Sequence, residues 1–67
     1  MNSSMLRSVM VLHGDTNKAL AEALGITAQS LSDKINERGT EFKQGEIAKI
    51  RDRYGLSADQ VENIFFN

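Results

Sequence analysis

Residues 17–35 read NKALAEALGITAQSLSDKI, and the placing of apolar and small residues in this stretch decides the fold. Leu20, Ala23 and Leu24, with Ala21 beside them, recur at the spacing of one helical face and predict a helix over 17–24. Lys18 and Glu22 stand four residues apart on the opposite, wet face. Asp15 or Thr16 can cap this helix, since either side chain has an oxygen for the orphan N–H groups of the first turn. Gly25 ends it, because glycine takes the left-handed backbone of a tight turn without a Cβ clash. Thr27 then caps a further helix, about 28–36, whose apolar anchors are Leu31 and Ile35.

Outward from this stretch the chain continues as short helical patterns. Leu6, Val9, Met10 and His13 form one stripe and predict a helix over 4–13, stopped by Gly14. A loop from Glu37 to Phe42 contains Gly39. Ile47, Ile50 and Tyr54 mark a helix over 44–54, closed by Gly55. Ser57-Ala-Asp-Gln60 reads as a capping box for a helix over 58–65, with Val61, Ile64 and Phe65 on one face. No segment alternates with the two-residue period of a strand. The expected architecture is all-α, a compact cluster of five helices forming one domain over 1–67.

Composition narrows the function. With no cysteine, the chain has neither disulfides nor thiolate ligands, which fits a cytoplasmic setting. No apolar run approaches the roughly 18 residues of a membrane span, and the N-terminal segment lacks the apolar core and cleavage site of a signal peptide. His13 is the lone histidine, with no second histidine, cysteine or carboxylate pair at metal-ligand spacing, so it reads as a helix-end residue. Ser30, Ser32 and Asp33 have no histidine on their own helix to complete a triad, and the glycines are isolated rather than gathered in a phosphate-binding loop. Neither an enzyme nor a cofactor is expected. The net charge of −1 and pI near 5.7 argue against a nonspecific nucleic-acid binder. Any electropositive face has to be assembled by geometry, from Lys34, Arg38, Lys43 and helix N-termini.

The stretch 17–35 meets the physical needs of a helix-turn-helix. These are a turn residue tolerant of positive φ (Gly25), a small residue where the helices cross (Ala21), and apolar pins to the core (Leu20, Leu24, Ile26 and Leu31). The string Asn17-Lys-Ala-Leu-Ala-Glu-Ala-Leu-Gly-Ile-Thr27 also resembles the Cro and phage-repressor superfamily, the XRE-like regulators. There "T-Q-x-x-L-A-x-x-L-G-I-S" opens the motif. Thr16, Leu20, Ala21, Leu24, Gly25 and Ile26 match, while Asn17 replaces the usual Gln and Thr27 the usual Ser. Leu31-Ser-Asp-Lys-Ile-Asn36 resembles the end of the recognition helix in small phage-type members, and Glu41-Phe42, Glu46-Ile47, Ile50 and Glu62–Phe66 resemble the remainder, so the likeness runs from about Leu6 to Phe66.

The resemblance implies a lambda-repressor-like DNA-binding domain with a central helix-turn-helix, and it implies roles by position. Ala28, Gln29, Ser32 and Asp33 would face base edges, with Gln29 the best reader because its amide pairs bidentately with adenine. Asn17, Thr27, Ser30, Lys34, Arg38 and Lys43 would contact the DNA backbone. Three positions depart from the pattern or carry two readings. Asp33 stands where Lys, Arg or Gln is usual, and is either an acceptor for a cytosine amine or a solvated residue. Asn36-Glu-Arg-Gly39 replaces a tighter Asn-Gly turn, which is expected to lengthen the loop by about two residues and move Arg38. Lys43 is a poor cap, so the start of its helix either grips a phosphate or is simply tolerated. Of Phe65 and Phe66, one is expected to pack on the first helix, and the other is a dimer contact or an ordinary exposed residue.

Two functions from different classes follow. The first is a sequence-specific transcriptional regulator of phage or prophage type, binding double-stranded operator DNA as a homodimer with half-sites roughly 34 Å apart. The alternative is a protein-binding antirepressor or modulator that docks on another repressor with the same fold, motivated by the acidic balance, Asp33 and the terminal aromatics.

Overall fold

Where four of the five helices begin is set by a polar side chain just before them. In the computed structural model, which describes residues 1–67, α1 spans Ser3–Leu12, α2 Asn17–Leu24, α3 Ala28–Ile35, α4 Gln44–Tyr54 and α5 Ala58–Phe65, with no strand. Asn2, Thr16, Thr27 and Ser57 each accept a hydrogen bond from a first-turn N–H of the helix that follows. Gln60 completes the expected capping box by accepting from the Ser57 N–H at 2.8 Å. Three boundaries differ from expectation. α1 begins and ends one residue early, with His13 as its C-cap, and α3 stops at Ile35, with Asn36 as its C-cap.

α2 and α4 end in the same way. Gly25 and Gly55 take φ of 72° and 62°, which lets the next N–H return to the last turn: Ile26 to the Ala21 carbonyl and Leu56 to the Arg51 carbonyl, both at 3.0 Å. The residue following each glycine is apolar and packs inward; Leu56 is buried and Ile26 half-buried.

The core is built from Leu6 and Met10 of α1, Leu20, Ala21 and Leu24 of α2, Leu31 and Ile35 of α3, Ile50 and Tyr54 of α4, Leu56, and Ile64 of α5. α2 and α3 form the most extensive helix–helix contact. Two expected inward residues are corrected. The buried stripe of α2 is centred on Leu20, Ala21 and Leu24, which turns Ala23 to solvent. His13 is likewise exposed, its ring tilted against Tyr54 with centroids 5.0 Å apart. Phe65 packs edge-on against Phe42 at 5.5 Å, and Phe66 is left 67% exposed. No helix is long and apolar enough to cross a membrane.

One polar cluster locks the α1–α2 turn to α4. The Asp15 carboxylate, 8% exposed, accepts from Arg53 Nε at 2.7 Å and Nη2 at 3.0 Å, and from the Tyr54 hydroxyl at 2.6 Å. It also accepts from the Thr16 N–H at 3.1 Å. Asp15 is therefore not the cap of α2; that role belongs to Thr16. The Arg53 hydrogen bonds hold the Asp15 carboxyl well below the usual carboxylate range despite its burial. Burial, reinforced by the bond to Asp15, pushes the Tyr54 phenol above its usual range.

The turn after α3 shows local strain. Glu37 adopts φ 56°, the one positive value outside glycine. The left-handed residue thus sits directly after Asn36, where an Asn-Gly turn would carry its glycine, and the closing bond runs from the Arg38 N–H to the Asp33 carbonyl at 2.9 Å. The expected lengthening of the loop therefore falls after this closure and does not displace it. Gly39, at φ 75°, makes a second left-handed step.

Two stability predictions follow from these contacts. The folded pKa of Asp15 lies below the unfolded value of about 4. Its contribution is complete above that value and is lost as pH falls through the lowered folded value. Asp15→Asn is expected to cost on the order of 2 kcal/mol at neutral pH. In thermal melts across pH, the gap between variant and wild type should be widest at neutral pH and shrink progressively below about pH 4. Glu37→Gly removes the left-handed strain and is expected to raise stability by about 1 kcal/mol. The lost contact between the Glu37 carboxylate and the Met1 amino group, 3.2 Å long and on a side chain 55% exposed, offsets little of this gain. Urea denaturation at pH 7 measures it.

Candidate nucleic-acid interface

α3 divides into two faces along its length. Leu31, Lys34 and Ile35 point into the protein and are buried. Thr27, Ala28 and Gln29 are exposed, and Ser30, Ser32 and Asp33 are half-buried. Of the positions expected to face base edges, Ala28, Gln29, Ser32 and Asp33 therefore lie at the surface, with Ala28 and Gln29 the most open.

The C-terminal half of α3 is held from outside by α1. The Ser3 hydroxyl donates to the Ile35 carbonyl. Arg7 Nη2 donates to Asn36 Oδ1 at 2.7 Å, and Asn36 Nδ2 in turn donates to the Ser32 carbonyl at 2.9 Å and to Ser32 Oγ at 3.3 Å. Together these bonds fix the C-terminal end of α3.

On the open face, Gln29 Nε2 donates to Asp33 Oδ1 at 3.0 Å, one helical turn on. The same oxygen lies 3.8 Å from the Arg38 guanidinium. Asp33 is thus not simply solvated; its carboxylate is engaged with two neighbours of the same surface, Gln29 and Arg38.

Lys34 departs furthest from expectation. It is 5% exposed, and its ammonium donates to the Glu41 carbonyl at 3.0 Å and pairs with Glu46 Oε1 at 3.2 Å. A lysine held this way does not reach a phosphate, so the expected backbone contact is corrected. The reason is its register: Lys34 lies three residues after Leu31 and beside Ile35, on the buried stripe.

The same cluster answers the question of the poor cap at Lys43. Glu46 Oε1 accepts from the Lys43 N–H at 2.8 Å, so the start of α4 already has a carboxylate of its own chain at the position an external anion would take. The backbone hydrogen bond from Lys43 and the contacts with Lys34 outweigh burial and hold the Glu46 carboxyl below its usual value. The Lys43 side chain itself is exposed, as are Arg38, Asn17 and Thr27, while Ser30 is half-buried. Phe42 and Ile47 line a cleft of about 200 Å³ together with Phe65 and Phe66. No group of three or more His, Cys, Asp or Glu side chains is arranged to hold a metal ion.

No protein-family model matches the chain, and no curated protein or solved structure matches it either.

The buried pair makes a prediction through a double-mutant cycle. Lys34→Met leaves the Glu46 carboxylate unpaired in a largely buried position and is expected to cost on the order of 3 kcal/mol. Adding Glu46→Gln removes the stranded charge while keeping an acceptor for the Lys43 N–H, so the double variant should be more stable than Lys34→Met alone. Thermal melts of the two single variants and the double variant measure the coupling. Additive losses would show that the pair contributes no interaction energy.

Proposed function

We propose that the chain is a sequence-specific DNA-binding transcriptional regulator of phage or prophage type, with α2, the Gly25 turn and α3 acting as a helix-turn-helix and α3 entering the major groove. The observation that carries this reading is the two-faced character of α3. Its apolar anchors and its lysine are buried, while Thr27, Ala28 and Gln29 stand open at its N-terminal end, the end that such a helix presents to base edges. The left-handed turn at Gly25 joins it to α2, with which it makes the most extensive helix–helix contact, and residues 16–27 carry the resemblance to the Cro and phage-repressor superfamily.

In this reading Gln29 and Ala28 meet the bases, with Ser32 and Asp33 behind them. Asn17, Thr27, Ser30, Arg38 and Lys43 serve the phosphates. Two copies are expected on a two-fold symmetric operator, because a single eight-residue helix reads too few base pairs for a specific site. A specific observation also favours the second reading, a modulator that docks on another repressor. Val11 at 77%, Leu12 at 82% and Phe66 at 67% are exposed large apolar side chains, on a chain whose net charge is −1.

The test is a mobility-shift titration of the full chain on duplex fragments from upstream of its own reading frame, across a series of salt concentrations. The DNA-binding reading expects log affinity to fall linearly with log salt. Arg38→Ala and Lys43→Ala are each expected to weaken binding to all sequences alike and to reduce the slope by about 1. An affinity flat in salt, with a larger repressor and no DNA recovered in a pull-down, would replace this reading with the modulator.

A further inference from the structure

We infer that Asp33 is a positioning residue that decides which way Gln29 presents its amide, and that it thereby restricts the base read by Gln29 to adenine; the inference rests on the DNA-binding reading above. A glutamine amide is ambiguous on its own. It has a carbonyl that accepts and an NH₂ group that donates twice, and rotation about its last bond exchanges them. A carboxylate has no such freedom, because when ionised it only accepts. The 3.0 Å bond from Gln29 Nε2 to Asp33 Oδ1 therefore ties the NH₂ side of the amide to the next turn of α3.

The consequence for recognition follows from amide geometry. One N–H of the NH₂ group lies beside the carbonyl oxygen, and the other points back toward the side chain's own stem. The second is the one a carboxylate four residues on can take. What remains is Oε1 and one adjacent N–H, an acceptor and a donor side by side. Adenine offers the complementary pair in the major groove, the N6 amine as donor and N7 as acceptor. Guanine offers two acceptors, N7 and O6. A free glutamine could turn both N–H groups toward them, but Asp33 withdraws one and leaves Oε1 facing an acceptor. Discrimination against guanine thus comes from a residue that touches no base.

Asp33 has a second effect of opposite sign. Its carboxylate adds a negative charge to a surface that approaches phosphates, and it also engages Arg38, whose guanidinium stands 3.8 Å away on a side chain 62% exposed. Removing the carboxylate eliminates one repulsion and frees one cation. Loss of Asp33 is therefore expected to raise affinity for duplex of any sequence while it erases discrimination at one position. General misfolding cannot do both.

The experiment uses the full chain and a randomised duplex pool to select the preferred site. Affinities are then measured for duplexes carrying each of the four base pairs at every position of that site. Gln29→Ala identifies the position Gln29 reads, where the wild type is expected to favour adenine over guanine by about tenfold or more. Asp33→Ala is expected to reduce that preference to about twofold or less by returning the amide to free rotation. It should also keep the preferences at other positions and bind nonspecific duplex more tightly. Asp33→Glu, with a longer carboxylate at the same register, is expected to restore the adenine preference and guards against a variant that merely unfolds. If Asp33→Ala keeps the full adenine preference, or if Gln29→Ala changes no position, the inference is overturned while DNA binding stands. If the wild type selects no sequence from the pool, the DNA-binding reading fails and the inference with it.

Discussion

An eight-residue helix such as α3 is too short to be stable by itself in water, so its existence depends on what it buries. Leu31 is fully buried and Ile35 nearly so, and Lys34, between them on the same stripe, is tied to the loop and to α4. The packing against α2 is possible because Gly25 turns the chain within one residue, and the small Ala21 lies buried in α2. The rest of the molecule extends this attachment. α1 holds the C-terminal end of α3 through Ser3, Arg7 and Asn36, and the Asp15 cluster holds the α1–α2 turn against α4. Thr27, Ala28 and Gln29 at the N-terminal end of α3 are exposed and carry none of these attachments. The anchoring residues Leu31, Lys34 and Ile35 all follow these three positions, which leaves that end of the helix open.

The charges divide in the same way. Asp15 with Arg53 and Glu46 with Lys34 are internal pairs whose acidic members are largely buried, and each pair is neutral in sum. Removing them from consideration leaves the net charge at −1 but changes what the surface near α3 presents. Arg38 stands exposed beside Asp33 and Lys43 is exposed at the start of α4, and the lysine with the most suggestive position in the sequence is not among them. For the proposed function this means few cations close to the phosphates, and so a weak sequence-independent component of binding. Sequence preference would then have to come mainly from base contacts.

How much of this was legible in the sequence varied with the distance over which residues act. The Gly25 turn and the caps at Thr27 and Ser57 are local and were readable from side-chain oxygens and glycines within four residues, whereas the Asn2 cap of α1 and the ends of α1 and α3 were not. The hydrophobic stripes were readable except at His13 on α1 and on α2, where alanines at 21 and 23 look alike in the sequence and only Ala21 is buried. Lys34 shows a conflict between two local signals. Its residue type argued for solvent and its spacing from Leu31 argued for the core; the spacing prevailed because Glu46, twelve positions on, supplies the compensating charge. Nothing in the sequence pairs those two, nor Asp15 with Arg53 and Tyr54, because such contacts require the tertiary fold. The Gln29–Asp33 bond was in principle readable, since residues four apart meet on a helix. It was obscured by treating Asp33 as a separate reader rather than as the neighbour of one.

On the proposed reading, a carboxylate in the middle of a DNA-facing helix is a cost to affinity that has to be offset by something. Specificity is a difference between affinities for right and wrong sequences, and a group that weakens binding to all of them equally contributes nothing to that difference. Asp33 weakens them unequally. Against any duplex it adds the same repulsion from phosphates, moderated by Arg38. Against adenine, however, it leaves the Gln29 amide already oriented, so no rotational freedom has to be lost on binding. Against guanine it removes the donor that a rotated amide would have used. The favourable and unfavourable effects thus reside in one pair of side chains, four residues apart on a rigid element. Such a pair exchanges general affinity for discrimination, which suits a chain with little positive charge to draw on.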